Sequence, residues 1–95
     1  MASFFARVEL HGARWPEDYE NLHKALKVHE FINCVTVEGG EIQRLPTGTY
    51  YSTNRKDDLD LIARVVKKCA DDTGYKNEVV VVKDGGTKVY LSRKC

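Results

Sequence analysis

Apolar and polar residues alternate through Ser3–His11, with Phe4, Ala6, Val8 and Leu10 on one side and Phe5, Arg7, Glu9 and His11 on the other. A period of two sends successive side chains to opposite faces, so the segment reads as a strand with one apolar face. The next pattern has a helical period, with Tyr19, Leu22 and Leu26 as its stripe. Pro16 suits a first helical turn, and Glu17 and Asp18 there complement the helix dipole. Trp15 and Tyr19 are spaced for a hydrophobic staple, and the helix is expected to end near Val28–Glu30. A strand-like run, Phe31–Val37, leads to a hairpin turn at Gly39-Gly40 and a second strand near Thr49–Thr53. Between them, Pro46 and Gly48 interrupt pairing, which predicts an edge extension or bulged loop over Glu41–Gly48.

A second helical stripe follows, Leu59, Ile62, Val65, Val66 and Cys69, with Asn54 as its candidate N-cap, Asp57 and Asp58 beyond it, and Gly74 as its stop. Lys67 and Lys68 fall in its last turns, with the dipole. The unbroken run Val79–Val82 in Glu78–Lys83 predicts a strand covered on both sides. Asp84-Gly85-Gly86 then reads as a turn into a fifth strand, Thr87–Ser92.

This order predicts an α+β fold: a ferredoxin-like βαββαβ sandwich with an additional C-terminal β-strand, formed by a single domain over residues 1–95. Both helices are expected on one face of the sheet. The facing set is Phe4, Ala6, Val8, Leu10, Leu22, Leu26, Leu59, Ile62, Val65 and Cys69. Exposed strand edges favour a homodimer, through the open sheet face or the last hairpin.

Charge narrows the partners. Fifteen Lys and Arg against 14 Asp and Glu leave +1, so any RNA site has to be a local basic patch. No apolar stretch reaches the roughly 20 residues of a membrane span, and the first residues alternate instead of forming a signal peptide. Cys34, Cys69 and Cys95 are an odd, widely spaced set without a CxxC pair, which indicates neither a zinc site nor a disulfide framework. Cys69 falls on an apolar stripe as a small hydrophobe, and the cysteine usage points to a reduced, cytoplasmic protein.

His11 is the residue most suited to chemistry. It ends the first strand on the face that carries Glu9, with Arg14 close behind. A His to move a proton, a carboxylate, and an Arg to stabilise phosphate charge suit acid–base cleavage of a phosphodiester, so Glu9, His11 and Arg14 are the candidate catalytic group. Glu9 and His11 are also suited to a divalent metal, although no dedicated metal or cofactor motif is present. Alternating charges are equally what a solvated strand face carries. Phe5 with Tyr50 or Tyr51 invites comparison with sheet-surface RNA binders, where aromatics stack on bases, but the RNP1 consensus is missing around Tyr50. Such an aromatic pair also marks dimer interfaces. Arg44, Arg55 and Lys56 form a local basic group that Asp57, Asp58 and Asp60 partly cancel.

From the first strand through Thr53 the chain resembles the GhoS family, small antitoxins of toxin–antitoxin systems. The matching positions are Tyr19, Leu22 and Leu26, then Phe31, Gly40, Arg44, Leu45, Tyr50 and Thr53. The resemblance implies a ferredoxin-like endoribonuclease that cuts a toxin's mRNA. That family is similar in fold to the small ferredoxin-like subunit of CRISPR spacer-acquisition complexes, whose acidic residue near the end of the first strand is matched best by Glu9. A basic helix position of the family falls on His23. The expected RNA contacts are therefore His23, Arg44, Tyr50 and Tyr51. The competing expectation is a non-enzymatic inhibitor of phage or plasmid origin, binding a host protein through a sheet edge or the open sheet face.

Overall fold

A computed structural model describes residues 2–14, 16–56 and 58–95, the side chain of Asn54 excepted. Its elements are β1 (Ala2–Leu10), α1 (Glu17–Val28), β2 (Cys34–Thr36), β3 (Ile42–Arg44), β4 (Thr49–Arg55), α2 (Leu59–Asp71) and β5 (Asn77–Lys83). The architecture is α+β with two antiparallel sheets. The larger has the order β4-β1-β5, and β2 pairs with β3 in a second, two-stranded sheet. The expected four-stranded sheet is thus not reproduced as such. The run after α1 bridges to β4 at Ile32–Tyr51 and then turns away to pair with β3.

The alternation in β1 decides where the core lies. Phe4, Ala6, Val8 and Leu10 are buried in one cluster with Leu22 and Leu26 of α1 and Ile62, Val66, Cys69 and Ala70 of α2. Both helices therefore cover the same face. Burying each Leu, Ile or Val contributes about 1.5–3 kcal/mol, which offsets the entropy of ordering these short elements. The helix stripe is shifted from the expected one: Leu59 is 42% exposed and Val65 half-buried, while Val66 and Ala70 carry the contact. Leu59 is the first residue of α2, one turn before the buried Ile62. The helix starts behind Asp58, whose Oδ1 accepts from Leu61 N at 2.8 Å. Asn54, the expected cap, is four residues upstream in the backbone of β4. The Trp15 half of the expected staple, and Asp57, lie outside the described residues.

β5 also differs from expectation. Val79 and Val81 pack against the core, whereas Val80 is 60% and Val82 49% exposed, so the strand is covered on one side only. Gly48 closes the loop between β3 and β4 onto β1. Its φ is +81°, its carbonyl accepts from Val8 N at 2.7 Å, and a Cβ there would collide with the Val8 carbonyl oxygen. Only glycine meets both the backbone angle and the approach.

The C-terminal segment does not form the expected fifth strand. Thr87–Ser92 is irregular and runs beside β2 and β3, with Lys88 Nζ 3.7 Å from Glu38 Oε1. The following residues strap β3 from outside: Arg44 N donates to Arg93 O at 2.9 Å, Gln43 bridges Lys94, and Arg93 Nη2 donates to Leu45 O at 2.9 Å. Cys95 is joined to Cys34 by a disulfide with a Cα–Cα distance of 6.1 Å. This corrects the expectation of unpaired thiols. Two cysteines 61 positions apart become neighbours because the strap crosses β3 next to β2, within disulfide reach. Cross-linking over that separation removes roughly 4 kcal/mol of freedom from the unfolded chain. Cys69 is free and buried, as its place on the helix stripe predicts. Among the described residues, no helix is long and apolar enough to cross a membrane.

Candidate functional site

His11 follows β1 directly, and its backbone N donates to Lys76 O at 2.8 Å, which holds it at the mouth of β5. The β1–β5 register places Glu9 directly opposite Glu78. Like charges directly opposite across a strand pair repel one another. The His11 imidazole stands beside Glu78, with Nε2 3.8 Å from Oε2 and 47% of the His side chain exposed. His11 and Glu78 line a shallow cleft of about 560 Å³ together with Lys67, Asp71, Tyr75 and Asn77.

One wall of the cleft is linked by polar contacts. Lys67 Nζ is 2.9 Å from Asp71 Oδ1 and donates to Asn77 Oδ1 at 2.8 Å, and Asn77 Nδ2 donates to Asp71 Oδ1 at 3.0 Å. The hydrogen bonds from Asn77 and Lys67 hold the Asp71 carboxyl below its ordinary pKa, so it stays ionised. On the other side, Tyr75 OH donates to Asp18 Oδ2 at 2.6 Å, and Arg14 N donates to the same oxygen at 2.7 Å. Tyr75 is the larger cause and Arg14 the lesser in keeping the Asp18 pKa low, while the same bond raises the Tyr75 phenol. Arg14 Nε stands 3.8 Å from Asp18 Oδ2 with the side chain largely exposed. Arg14 thus reaches the cleft through Asp18 and Tyr75, and Glu9 through Glu78.

The expected RNA contacts separate into two places. Tyr51 lies on the open face of the sheet beside Phe5, with ring centroids 4.5 Å apart. Cross-strand register extends this pair into a row, Ile32–Tyr51–Phe5–Val82, with Arg7 opposite Val80 in the next row. Tyr50, one residue away, points under the helices and is 1% exposed. Its OH lies 2.5 Å from His23 Nδ1. Burial raises the Tyr50 phenol far above its ordinary value of 10.0, so it keeps its proton and donates. His23 is held below 6.5, first by burial and then by the Arg44 guanidinium, with Glu20 opposing. A neutral imidazole accepting at Nδ1 fits both shifts. Tyr50 has no face open to a base, and His23 and Arg44 belong to this half-buried cluster.

Glu78, Lys67, Asp71, Tyr75 and Asn77 are cleft residues that the sequence does not assign to a site. Glu78 and Asn77 join His11 through the β1–β5 register, and Lys67, Asp71 and Tyr75 through the end of α2 and the turn that leads into β5; the sequence carries no local signal for either, and the strand at Glu78 is the one usable clue. Among the described residues, no three or more His, Cys, Asp or Glu side chains are gathered as a metal site. Compared with known proteins, the chain matches no family model, no curated protein and no solved structure.

Proposed function

We propose that this protein is a GhoS-like antitoxin that cleaves RNA, acting in the cytoplasm on a toxin's mRNA, with His11 as the proton-transferring group. The observation that carries the reading is the His11 imidazole beside Glu78 in an open cleft that Lys67 also lines. Imidazole is the side chain that takes and returns a proton near neutral pH, and a carboxylate beside it orients the ring. In the proposed reaction His11 takes the proton of a ribose 2′-hydroxyl. The 2′-oxygen bonds to the adjacent phosphorus, the bond from phosphorus to the 5′-oxygen breaks, and the His11 imidazolium returns its proton to that oxygen. Lys67, which lines the same cleft, is suited to offset charge on the phosphate; Arg14 would act from beside the cleft, and Glu9 from across the β1–β5 pair.

The frame we propose is a ferredoxin-like variant. The Ile32–Tyr51 bridge stands for a reduced outer strand, so that the order Ile32, β4, β1, β5 follows the split-βαβ plan. The open face beside the cleft offers Phe5 and Tyr51 as a stacking platform. Incubating the purified protein with single-stranded RNA tests the reading. Fragments ending in a 2′,3′-cyclic phosphate are expected, lost in His11→Ala and reduced in Glu9→Ala; equal cleavage in both variants removes these residues from the mechanism.

A second reading is favoured by a different observation. Ile32, Val80 and Val82, respectively 46%, 60% and 49% exposed, surround Phe5 and Tyr51. An apolar row of this kind suits a protein partner or a second copy of the chain, as in a non-enzymatic inhibitor. Capture of a host protein that survives RNase treatment and is lost in Val80→Lys supports this reading over the first.

A further inference from the structure

We propose that the Cys34–Cys95 disulfide is a thiol-exchangeable clasp: a low-molecular-weight thiol attacks the Cys95 sulfur and frees the Arg93–Cys95 strap from β3. This goes beyond the proposed RNA reaction and does not depend on it.

The two cysteines differ in exposure. Cys95 is exposed, whereas Cys34 is half-buried. Both line a cavity of about 290 Å³ with His23, Lys27, Asn33 and Tyr50. Thiol–disulfide exchange is governed by access to the attacked sulfur and by how well the leaving thiolate is stabilised. Access favours Cys95 as the attacked atom. Cys34 then leaves into a cavity lined by the Lys27 ammonium, and Asn33 Oδ1, 3.6 Å from Cys34 Sγ, accepts from the thiol once it is protonated.

The steps balance. A thiolate bonds to Cys95 Sγ as the Cys34–Cys95 bond breaks, giving a mixed disulfide on Cys95 and a Cys34 thiolate. A second thiolate attacks the mixed disulfide at the sulfur of the first thiol and releases the Cys95 thiolate. Two small thiols are oxidised to one disulfide, and their two electrons reduce the protein's pair.

What the clasp holds is a loosely packed hairpin. β2 and β3 have three residues each, and none of the six is fully buried. Without the cross-link the strap keeps the Arg44 N–Arg93 O and Cys95 N–Ile42 O hydrogen bonds and the Arg93 contact to Leu45 O. Bonds at an exposed edge open locally, ahead of the global transition. Release of the strap would bare the edge of β3 and open the cavity beside His23 and Tyr50. A reducing compartment would hold the protein open, and an oxidising one would close it.

Glutathione is the probe. The full chain, air-oxidised, is treated with reduced glutathione, quenched with N-ethylmaleimide at intervals and mapped by mass spectrometry. The adduct is expected on Cys95, with maleimide on Cys34. Amide exchange is followed on the oxidised and reduced chain. The ratio of the Arg44 and Cys95 exchange rates to that of Val8 in β1 should rise about tenfold or more on reduction. Cys95→Ser should show the same raised ratio without any reductant, and Cys34→Ser provides a second version of the open state. An adduct on Cys34, no adduct at any time, or equal acceleration of strap and β1 amides overturns the proposal.

Discussion

His11 and His23 stand on neighbouring elements, yet one faces a charged cleft and the other is half-buried against Tyr50. The regions around them are held by different physics. The sheet β4-β1-β5 and its two helices close over one apolar cluster that needs no covalent help. The β2–β3 sheet has no buried cluster of its own and is closed by the strap and the Cys34–Cys95 bond. The comparison teaches that a short hairpin without a hydrophobic face needs an outside constraint, while the packed layer can leave its far side and strand ends exposed. Exposed strand ends are where a proton-transferring side chain can meet substrate, and His11 is at one of them.

The comparison can be broken from the packed side first. Leu26→Ala removes a side chain that is fully buried between α1 and the sheet, and should cost about 2–5 kcal/mol in denaturant unfolding. Next is the stapled side: Cys34→Ser should lower stability by roughly 2–4 kcal/mol, read from the same unfolding midpoints with and without reductant. The reductant should leave the variant's midpoint unchanged while shifting the wild type's.

Tyr50→Phe sharpens the contrast between the two histidines. Losing the hydrogen bond to His23 should cost about 1 kcal/mol. His23 also sets a pH dependence with a defined sign. Its folded pKa lies below the ordinary 6.5, so its contribution is present above 6.5 and is lost as pH falls through the lowered value. Thermal melts between pH 7 and pH 5 should show this decline, and His23→Gln should flatten it. The smallest effect is expected at Ser52, which is buried with no hydrogen-bond partner for its Oγ among the described residues. Ser52→Ala should be neutral or stabilising by up to about 1 kcal/mol, because it removes an unsatisfied hydroxyl.

The packed half was the legible half. Period two in β1 and the stripes of α1 and α2 name most of the core, since burial on one face leaves a periodic trace in the sequence. Two errors there have local causes: Leu59 is the first residue of α2 and stays exposed, and Val79–Val82 is an apolar run whose alternate members Val80 and Val82 face away from the core. The stapled half was not legible. Thr87–Ser92 alternates like a strand but pairs with nothing as one, and the Cys34–Cys95 bond follows from chain path, which cysteine spacing does not reveal. One signal was available: with Cys69 on a buried stripe, the other two cysteines form an even pair. For the site, His11 and Glu9 could be seen from their place at a strand end, while Glu78 depends on the β1–β5 register and Lys67 and Tyr75 on how the end of α2 and the following turn meet β1.

The rate of single-stranded RNA cleavage at neutral pH, measured for wild type, His11→Ala and His23→Gln alongside their melting temperatures, tests the division between the histidines most directly. His11→Ala should lose on the order of 10²–10⁴-fold in rate with an unchanged melting temperature. His23→Gln should keep the rate and melt lower. Undiminished cleavage by His11→Ala, or no cleavage by the wild type, would contradict the assignment.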